Sequence, residues 1–310
     1  MFKKALGLVL VLVLGVMLAS GVIAGCSQGK LQVQDKAQGQ DKAQGQDKSQ
    51  GAVENKVMRI KGSDTMVLLF QALAEEFMQR NPTTQLAVKG GGSGTGISAL
   101  IDGTTDIAIA SRKMQDKELD EARSKGIEPK ECEVALDALA IVVNPQNPVT
   151  TLNLAQLKEI FTGKEKNWKA VGGKAEPIIP VSRESNSGTY VYFKEHVLEN
   201  QEYSPEARLM PTSQAIIEYI AKTPGAIGYV GMAYANNGPV QTISVANNAQ
   251  GQAYEPNEKN VLKGVYPIAR PLQIYTDGEP TGVIKEFIDF ILGPDGQKIV
   301  ERIGYTPIRK

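Results

Sequence analysis

Histidine is nearly absent. The chain carries one, His196, so a multi-histidine metal site is excluded and any Ser-His-Asp triad would depend on that single ring. Two cysteines, Cys26 and Cys132, are too few for a zinc cluster or a disulfide framework. Surplus charge is also missing: 34 basic and 34 acidic side chains cancel. That balance argues against nucleic acid as a partner, which needs a basic footprint. The one tryptophan, Trp168, is read as packing near a hinge rather than as a stacking platform. What the chain does have is length and glycine. Its 310 residues suffice for two lobes, each with its own core, and 31 of them are glycine.

The start of the chain gives a cellular context. Met1-Phe2-Lys3-Lys4 is a short cationic opening, followed by an apolar run over 5–18 and small residues at 19–22. A core this short, with a processing site after it, reads as an export signal rather than a membrane span. The site, Ile23-Ala24-Gly25-Cys26, resembles the bacterial lipobox, in which the cysteine is lipidated and becomes the first mature residue. Residues 1–25 are therefore expected to be a signal peptide, with Cys26 the lipidation site. Cys132 is then read as a small buried hydrophobe. Residues 26–55 form a tether that contains three copies of the unit QDKAQG, with Ser49 replacing alanine in the third. No position in the unit supplies an apolar face, so the tether is expected to be disordered, reaching roughly 30 Å as a flexible coil.

From residue 57 strands and helices alternate. Strands are expected at 57–61, 85–89, 106–110, 138–143, 177–181, 226–230 and 271–275. Helices are expected at 65–80, 97–101, 154–161, 187–198, 213–222 and 281–292. The helix over 65–80 carries Met66, Phe70, Leu73 and Phe77 on one stripe and ends at Asn81-Pro82. The stretch 116–131 is charge-rich and reads as a solvated helix and loop. This alternation predicts an α/β architecture with mostly parallel sheets, in which ligands sit beyond the carboxyl ends of the strands.

Three strand-to-helix turns share one chemistry: Gly62-Ser63-Asp64-Thr65-Met66, Gly90-Gly91-Gly92-Ser93-Gly94-Thr95-Gly96 and Arg183-Glu184-Ser185-Asn186-Ser187-Gly188-Thr189. Glycine lets backbone approach a ligand closely. The unused N–H groups of a helix's first turn point outward with the positive end of the dipole. Hydroxyls add donors, and Arg183 offers a bidentate fork, so three such termini in one cleft would hold a compact oxyanion. Each turn taken alone is an ordinary helix cap. Their repetition shifts the reading toward a ligand. No lysine follows the glycine run, so it is not a P-loop. His196 sits along the helix rather than at its start and reads as a partly exposed structural residue, while Asp106 and Glu184 either orient donors or face water.

These turns, together with Thr105-Asp106-Ile107-Ala108-Ile109-Ala110-Ser111-Arg112, Leu157-Lys158-Glu159-Ile160-Phe161-Thr162-Gly163 with Asn167-Trp168, and Gly225-Ala226-Ile227-Gly228-Tyr229, resemble the substrate-binding proteins of bacterial phosphate ABC transporters, the PstS family. The resemblance spans nearly all of residues 56–310. It implies a periplasmic-binding-protein-like (type II) fold: a two-lobed venus flytrap, each lobe a mostly parallel sheet flanked by helices. One lobe is then expected at 56–142 plus 263–310 and the other at 143–262. The implied ligand is inorganic phosphate and the implied partner is the permease of an ABC transporter. The protein would be a monomeric receptor, not an enzyme, with no cofactor and no metal, exported and lipid-anchored on the outer face of the membrane.

Carried over by position, the family's anion donors fall on the backbone of Thr65 and Met66, and on Ser93, Arg183, Ser187, Gly188 and Thr189. Ser63, Asp64, Gly94, Ser111 and Arg112 complete the candidate contact set. Arg112 departs from the pattern. Well-known members have an aspartate there that accepts the proton of hydrogen phosphate and discriminates against sulfate. Either Asp64 supplies the acceptor or the site lacks that filter. Other tetrahedral oxyanions (molybdate, tungstate, sulfate), an exported serine hydrolase and a structural lipoprotein remain as alternative readings.

Overall fold

The computed structural model describes residues 57–308. The expected signal peptide, Cys26 and the repeat tether lie outside the described residues. In chain order the elements are β1 (Met58–Gly62), α1 (Val67–Arg80), β2 (Leu86–Lys89), α2 (Ser93–Ile101), β3 (Ile107–Ala110) and α3 (Asp116–Ser124). They continue with β4 (Pro129–Val143), β5 (Thr151–Asn153), α4 (Leu154–Phe161), β6 (Ile179–Arg183), α5 (Gly188–His196), β7 (Arg208–Met210) and α6 (Ser213–Lys222). The last are β8 (Ala226–Gly231), α7 (Met232–Asn236), β9 (Gln241–Ala246), β10 (Ala253–Tyr254), α8 (Glu258–Leu262), β11 (Ala269–Asp277), α9 (Gly282–Leu292) and α10 (Pro294–Ile303).

Two lobes grow from one shared strand. The first sheet runs β2-β1-β3-β11-β4 and the second runs β4-β8-β6-β7. Along β4, residues 129–138 pair with β11, and Leu139 to Val143 pair with β8. The change of partner falls between Ala138 and Leu139. The sheets are mixed rather than mostly parallel, with five parallel and five antiparallel strand pairings. In the two lobes' main sheets, parallel order is confined to β1-β2-β3 and β6-β7-β8, where helical crossovers join successive strands. β4 and β11 run against every neighbour.

The core follows the apolar stripes. Phe70 and Phe77 of α1 meet Phe287 of α9 edge-on at 6.3 and 5.1 Å between ring centres. In the other lobe Phe161, Phe193 and Tyr229 pack together at 4.8, 5.4 and 4.1 Å. Asn153 caps α4: its side chain accepts from Gln156 N at 2.9 Å, and Gln156 returns the bond to Asn153 N at 3.0 Å. Trp168 is buried, and its ring N–H donates to Gly225 O at 2.9 Å, a packing role. Two expectations change. The stretch 116–131 is not all helix and loop, because β4 begins at Pro129. Cys132, on that strand, is half-buried rather than buried. Among the described residues no helix is long and apolar enough to cross a membrane.

Candidate functional site

The strand-to-helix turns of both lobes meet. β1 ends at Gly62, and Ser63 N donates to Ile109 O at 2.7 Å, which ties this turn to β3. A 3-10 turn, Asp64–Met66, then feeds α1. The glycine run leads into α2 through Gly92, whose φ of 96° is a left-handed conformation that side chains rarely tolerate. A Cβ at Gly92 would also stand 2.6 Å from Asn186 O, across the cleft. Gly94 N donates to that same carbonyl at 3.0 Å, and Asn186 Nδ2 donates to Gly91 O at 2.9 Å. Glycine is therefore required at position 92 for two reasons, one local and one tertiary.

Inside this contact lies a cluster of hydroxyls. Ser63 Oγ donates to Ser111 Oγ at 3.0 Å, and Ser111 Oγ lies 3.4 Å from Ser93 Oγ and 3.5 Å from Thr189 Oγ1. Thr65 Oγ1 is 2.8 Å from Thr189 Oγ1. Ser93 Oγ accepts from Ser111 N at 3.0 Å, and Ser187 Oγ caps α5 by accepting from Thr189 N at 3.2 Å. All six hydroxyl residues are at most 2% exposed. Gly188 presses into them: a Cβ there would sit 2.3 Å from Ser93 Oγ and 2.8 Å from Ser111 Oγ. Dipoles of three helix starts and six hydroxyls thus converge on one buried point, an arrangement suited to negative charge.

The charged groups are distributed differently from expectation. Arg183 is buried, but its fork does not aim at the hydroxyls. Nε donates to Met210 O at 3.3 Å, Nη2 to Pro211 O at 2.8 Å and Nη1 to Ser213 Oγ at 3.1 Å, with Asp64 Oδ2 3.4 Å from Nη1. The reason is topological. Arg183 ends β6, and β7 beside it delivers the carbonyls of the loop before α6. Burial pulls the Arg183 guanidinium down from its ordinary value, and Asp64 opposes that shift. Asp64 is likewise committed, accepting from Ser213 N at 2.7 Å, so its Oδ2 faces α6 rather than the hydroxyls. Arg112 forms a two-pronged pair with Glu118 at 2.7 and 2.6 Å. Met66 N donates to Ser63 O at 3.0 Å and its side chain is in the core, so that amide is already used. His196 is exposed and stacks on Tyr192, with ring centres 3.9 Å apart. Asp106 accepts from Arg59 N at 2.7 Å, and Glu184 is exposed.

Two residues at the cluster escaped the sequence reading. Arg270 of β11 and Asp137 of β4 are direct cross-strand partners. Arg270 Nε and Nη2 donate to Asp137 Oδ2 at 3.2 and 3.0 Å, Nη1 donates to Ser111 O at 3.0 Å, and Nη2 also reaches Thr189 Oγ1 at 3.0 Å. Asp137 Oδ1 accepts from Met232 N at 3.0 Å. Burial pushes the Asp137 carboxyl up from its usual value, while Arg270 and the Met232 amide pull the other way. The available signal was a charge inside an apolar strand, as in Ala135-Leu136-Asp137-Ala138-Leu139. Chains seldom bury such a residue without a partner.

Comparison with known proteins gives a consistent picture. The model of the PBP superfamily domain matches residues 36–295. The chain is similar to the phosphate-binding protein PstS of Bacillus subtilis, 38% identical over 81% of this chain and 80% of that protein. It is also similar to the phosphate-binding protein PstS of Pseudomonas aeruginosa, 33% identical over 80% and 81%. Among solved structures, a Clostridium perfringens substrate-binding protein with bound phosphate superposes with a TM-score of 0.75 at 32% identity, over 82% of this chain and all of that one. An ABC-type phosphate transport receptor from Vibrio cholerae gives 0.65 at 30% identity, over 80% and 99%. The chain belongs to the PBP superfamily and, within it, to the PstS family of phosphate-binding proteins.

Proposed function

We infer that this protein captures inorganic phosphate between its lobes outside the cytoplasm and delivers it to an ABC permease. The observation that carries the reading is the buried cluster of Ser63, Thr65, Ser93, Ser111, Ser187 and Thr189, gathered from both lobes at three helix starts. Fixed dipoles and hydroxyl donors replace the hydration of a small anion without reorganising as it arrives. The lobes comprise 57–138 with 263–308, and 139–262, joined where β4 changes partners, and closure about that joint brings the two sets of donors together. Arg183 and Asp64 act as a largely buried pair beside the cluster. They connect the first turn after β1 to the start of α6, which steadies the closed form. The chain acts as a monomeric receptor rather than an enzyme. A lipid on Cys26 and the repeat tether hold it at the outer face of the membrane.

Each charge-assisted hydrogen bond contributes about 1.5–3 kcal/mol net, and micromolar binding needs about 8 kcal/mol. A handful of donors from this cluster suffices. Arg112 stands where well-known members of the family have an acceptor carboxylate, so sulfate is the anion to set against phosphate. Calorimetric titration of the full chain with phosphate and with sulfate, from pH 5 to 8, tests the reading. Micromolar or tighter phosphate binding is expected. Heat from sulfate or molybdate with none from phosphate would transfer the site to another oxyanion.

A further inference from the structure

The geometry points to Arg270 as a guanidinium that contacts the bound anion, with its cross-strand partner Asp137 as the residue that positions it. This rests on the phosphate-receptor reading and goes beyond it by assigning the site's positive charge. Three arginines lie close enough to be considered. Arg183 donates to Met210 O, Pro211 O and Ser213 Oγ, and Arg112 donates to Glu118 and Lys113 O with its Nε left unpartnered, so neither bonds to a hydroxyl of the cluster. Among the described residues, Arg270 is the guanidinium that hydrogen-bonds to a hydroxyl of the cluster, Thr189 Oγ1.

Its placement fits a ligand contact in three respects. First, Arg270 bridges both halves of the cluster: Ser111 at the end of β3 belongs to one lobe, and Thr189 in the first turn of α5 to the other. A charge in that position binds the anion best when the cleft is shut, which couples capture to closure. Second, its direction is fixed. Asp137 Oδ2 takes two of its N–H groups, the Tyr192 ring lies 5.3 Å from its Cζ, and Asp137 is itself held by Met232 N. Third, it is reachable. A groove of about 690 Å³ is lined in part by Ser111 and Arg270, with Lys113, Lys117, Asp116 and Glu195 also on its walls.

Asp137 also places a carboxylate beside the cluster. Its Oδ2 and Thr189 Oγ1 share the same Arg270 nitrogen, each 3.0 Å from it.

Full-length chain, Arg270→Lys, Asp137→Asn and the charge-neutral double variant Arg270→Gln/Asp137→Asn are titrated with inorganic phosphate by calorimetry. Circular dichroism and melting without phosphate verify the fold. Arg270→Lys and the double variant are expected to bind phosphate about 10- to 100-fold more weakly, since they lose one charge-assisted contact. Asp137→Asn is expected to reduce the phosphate-dependent rise in melting temperature, a readout that a purely structural role leaves unchanged. Folded variants that bind phosphate as tightly as the unsubstituted chain overturn the inference and leave the receptor reading standing. If the unsubstituted chain itself ignores phosphate, the receptor reading falls and this inference falls with it. A crystal structure of the unsubstituted chain with phosphate decides independently of any variant's folding. Arg270 Nη within hydrogen-bond distance of a phosphate oxygen supports the inference, and Arg270 out of reach of the ligand refutes it.

Discussion

Gly188→Ala separates closure from folding. The residue is the first of α5, and its φ is not left-handed, so alanine fits the local backbone and improves helix propensity by up to about 1 kcal/mol. Across the cleft the new methyl carbon would lie 2.3 Å from Ser93 Oγ, 2.8 Å from Ser93 Cβ and 2.8 Å from Ser111 Oγ. Rotating the Ser93 hydroxyl away does not relieve the clash with its Cβ, and it breaks the bond from Ser111 N at 3.0 Å. The α5 turn and the α2 turn must therefore separate by roughly 1 Å, enough to take hydrogen bonds near 3.0 Å out of range. Losing two charge-assisted bonds to the anion costs about 3–6 kcal/mol, or roughly 10²- to 10⁴-fold in affinity. Calorimetry reads the affinity, and the melting curve without phosphate reads the fold, which is expected to hold. An affinity within about threefold of the unsubstituted chain would refute the closed-cleft geometry.

Two further outcomes follow from buried polar contacts. Asp64→Asn removes the charge that faces Arg183 and weakens the acceptor for Ser213 N, so phosphate affinity is expected to drop about tenfold or more. Unchanged affinity in a fluorescence or calorimetric titration would remove the Asp64–Arg183 pair from the closing mechanism. The buried phenol Tyr229, bonded to Tyr203 and Ser182, is pushed up to about 12 by burial. Its folded value exceeds the unfolded one, so the folded state keeps a proton that the unfolded chain releases. Stability is full below pH 10 and falls by about 1.4 kcal/mol per pH unit as pH rises toward 12. Tyr229→Phe is expected to flatten that part of the denaturation profile, and an unaltered alkaline slope would assign the loss to other groups.

How much of this was legible in the chain depends on whether a feature is local. Helices α4 and α6 begin and end where capping residues and apolar spacing put them, because Asn153 and Thr212 bind amides three residues away. Short strands such as β5, β7 and β10 carry too few residues to show a period, and α10 was missed although Pro294 opens it. The long β4 was seen only in its apolar half, because Lys130, Glu131 and Glu133 make its first half look like a loop. Pairing with β11 makes that half a strand.

The candidate site divides in the same way. The order of residues alone determined that three turns rich in glycine and hydroxyls would each open a helix, since cap chemistry and glycine's backbone freedom act over a few neighbours. Which guanidinium joins them was a tertiary decision. Arg183 follows the motif yet is drawn to the carbonyls that β7 brings alongside. Arg270 lies 81 residues from Thr189 in the chain and reaches its hydroxyl through the β4–β11 register. Hydrogen bonds of that kind depend on how strands are ordered in a sheet, and strand order is set by packing between distant segments, which no local pattern records.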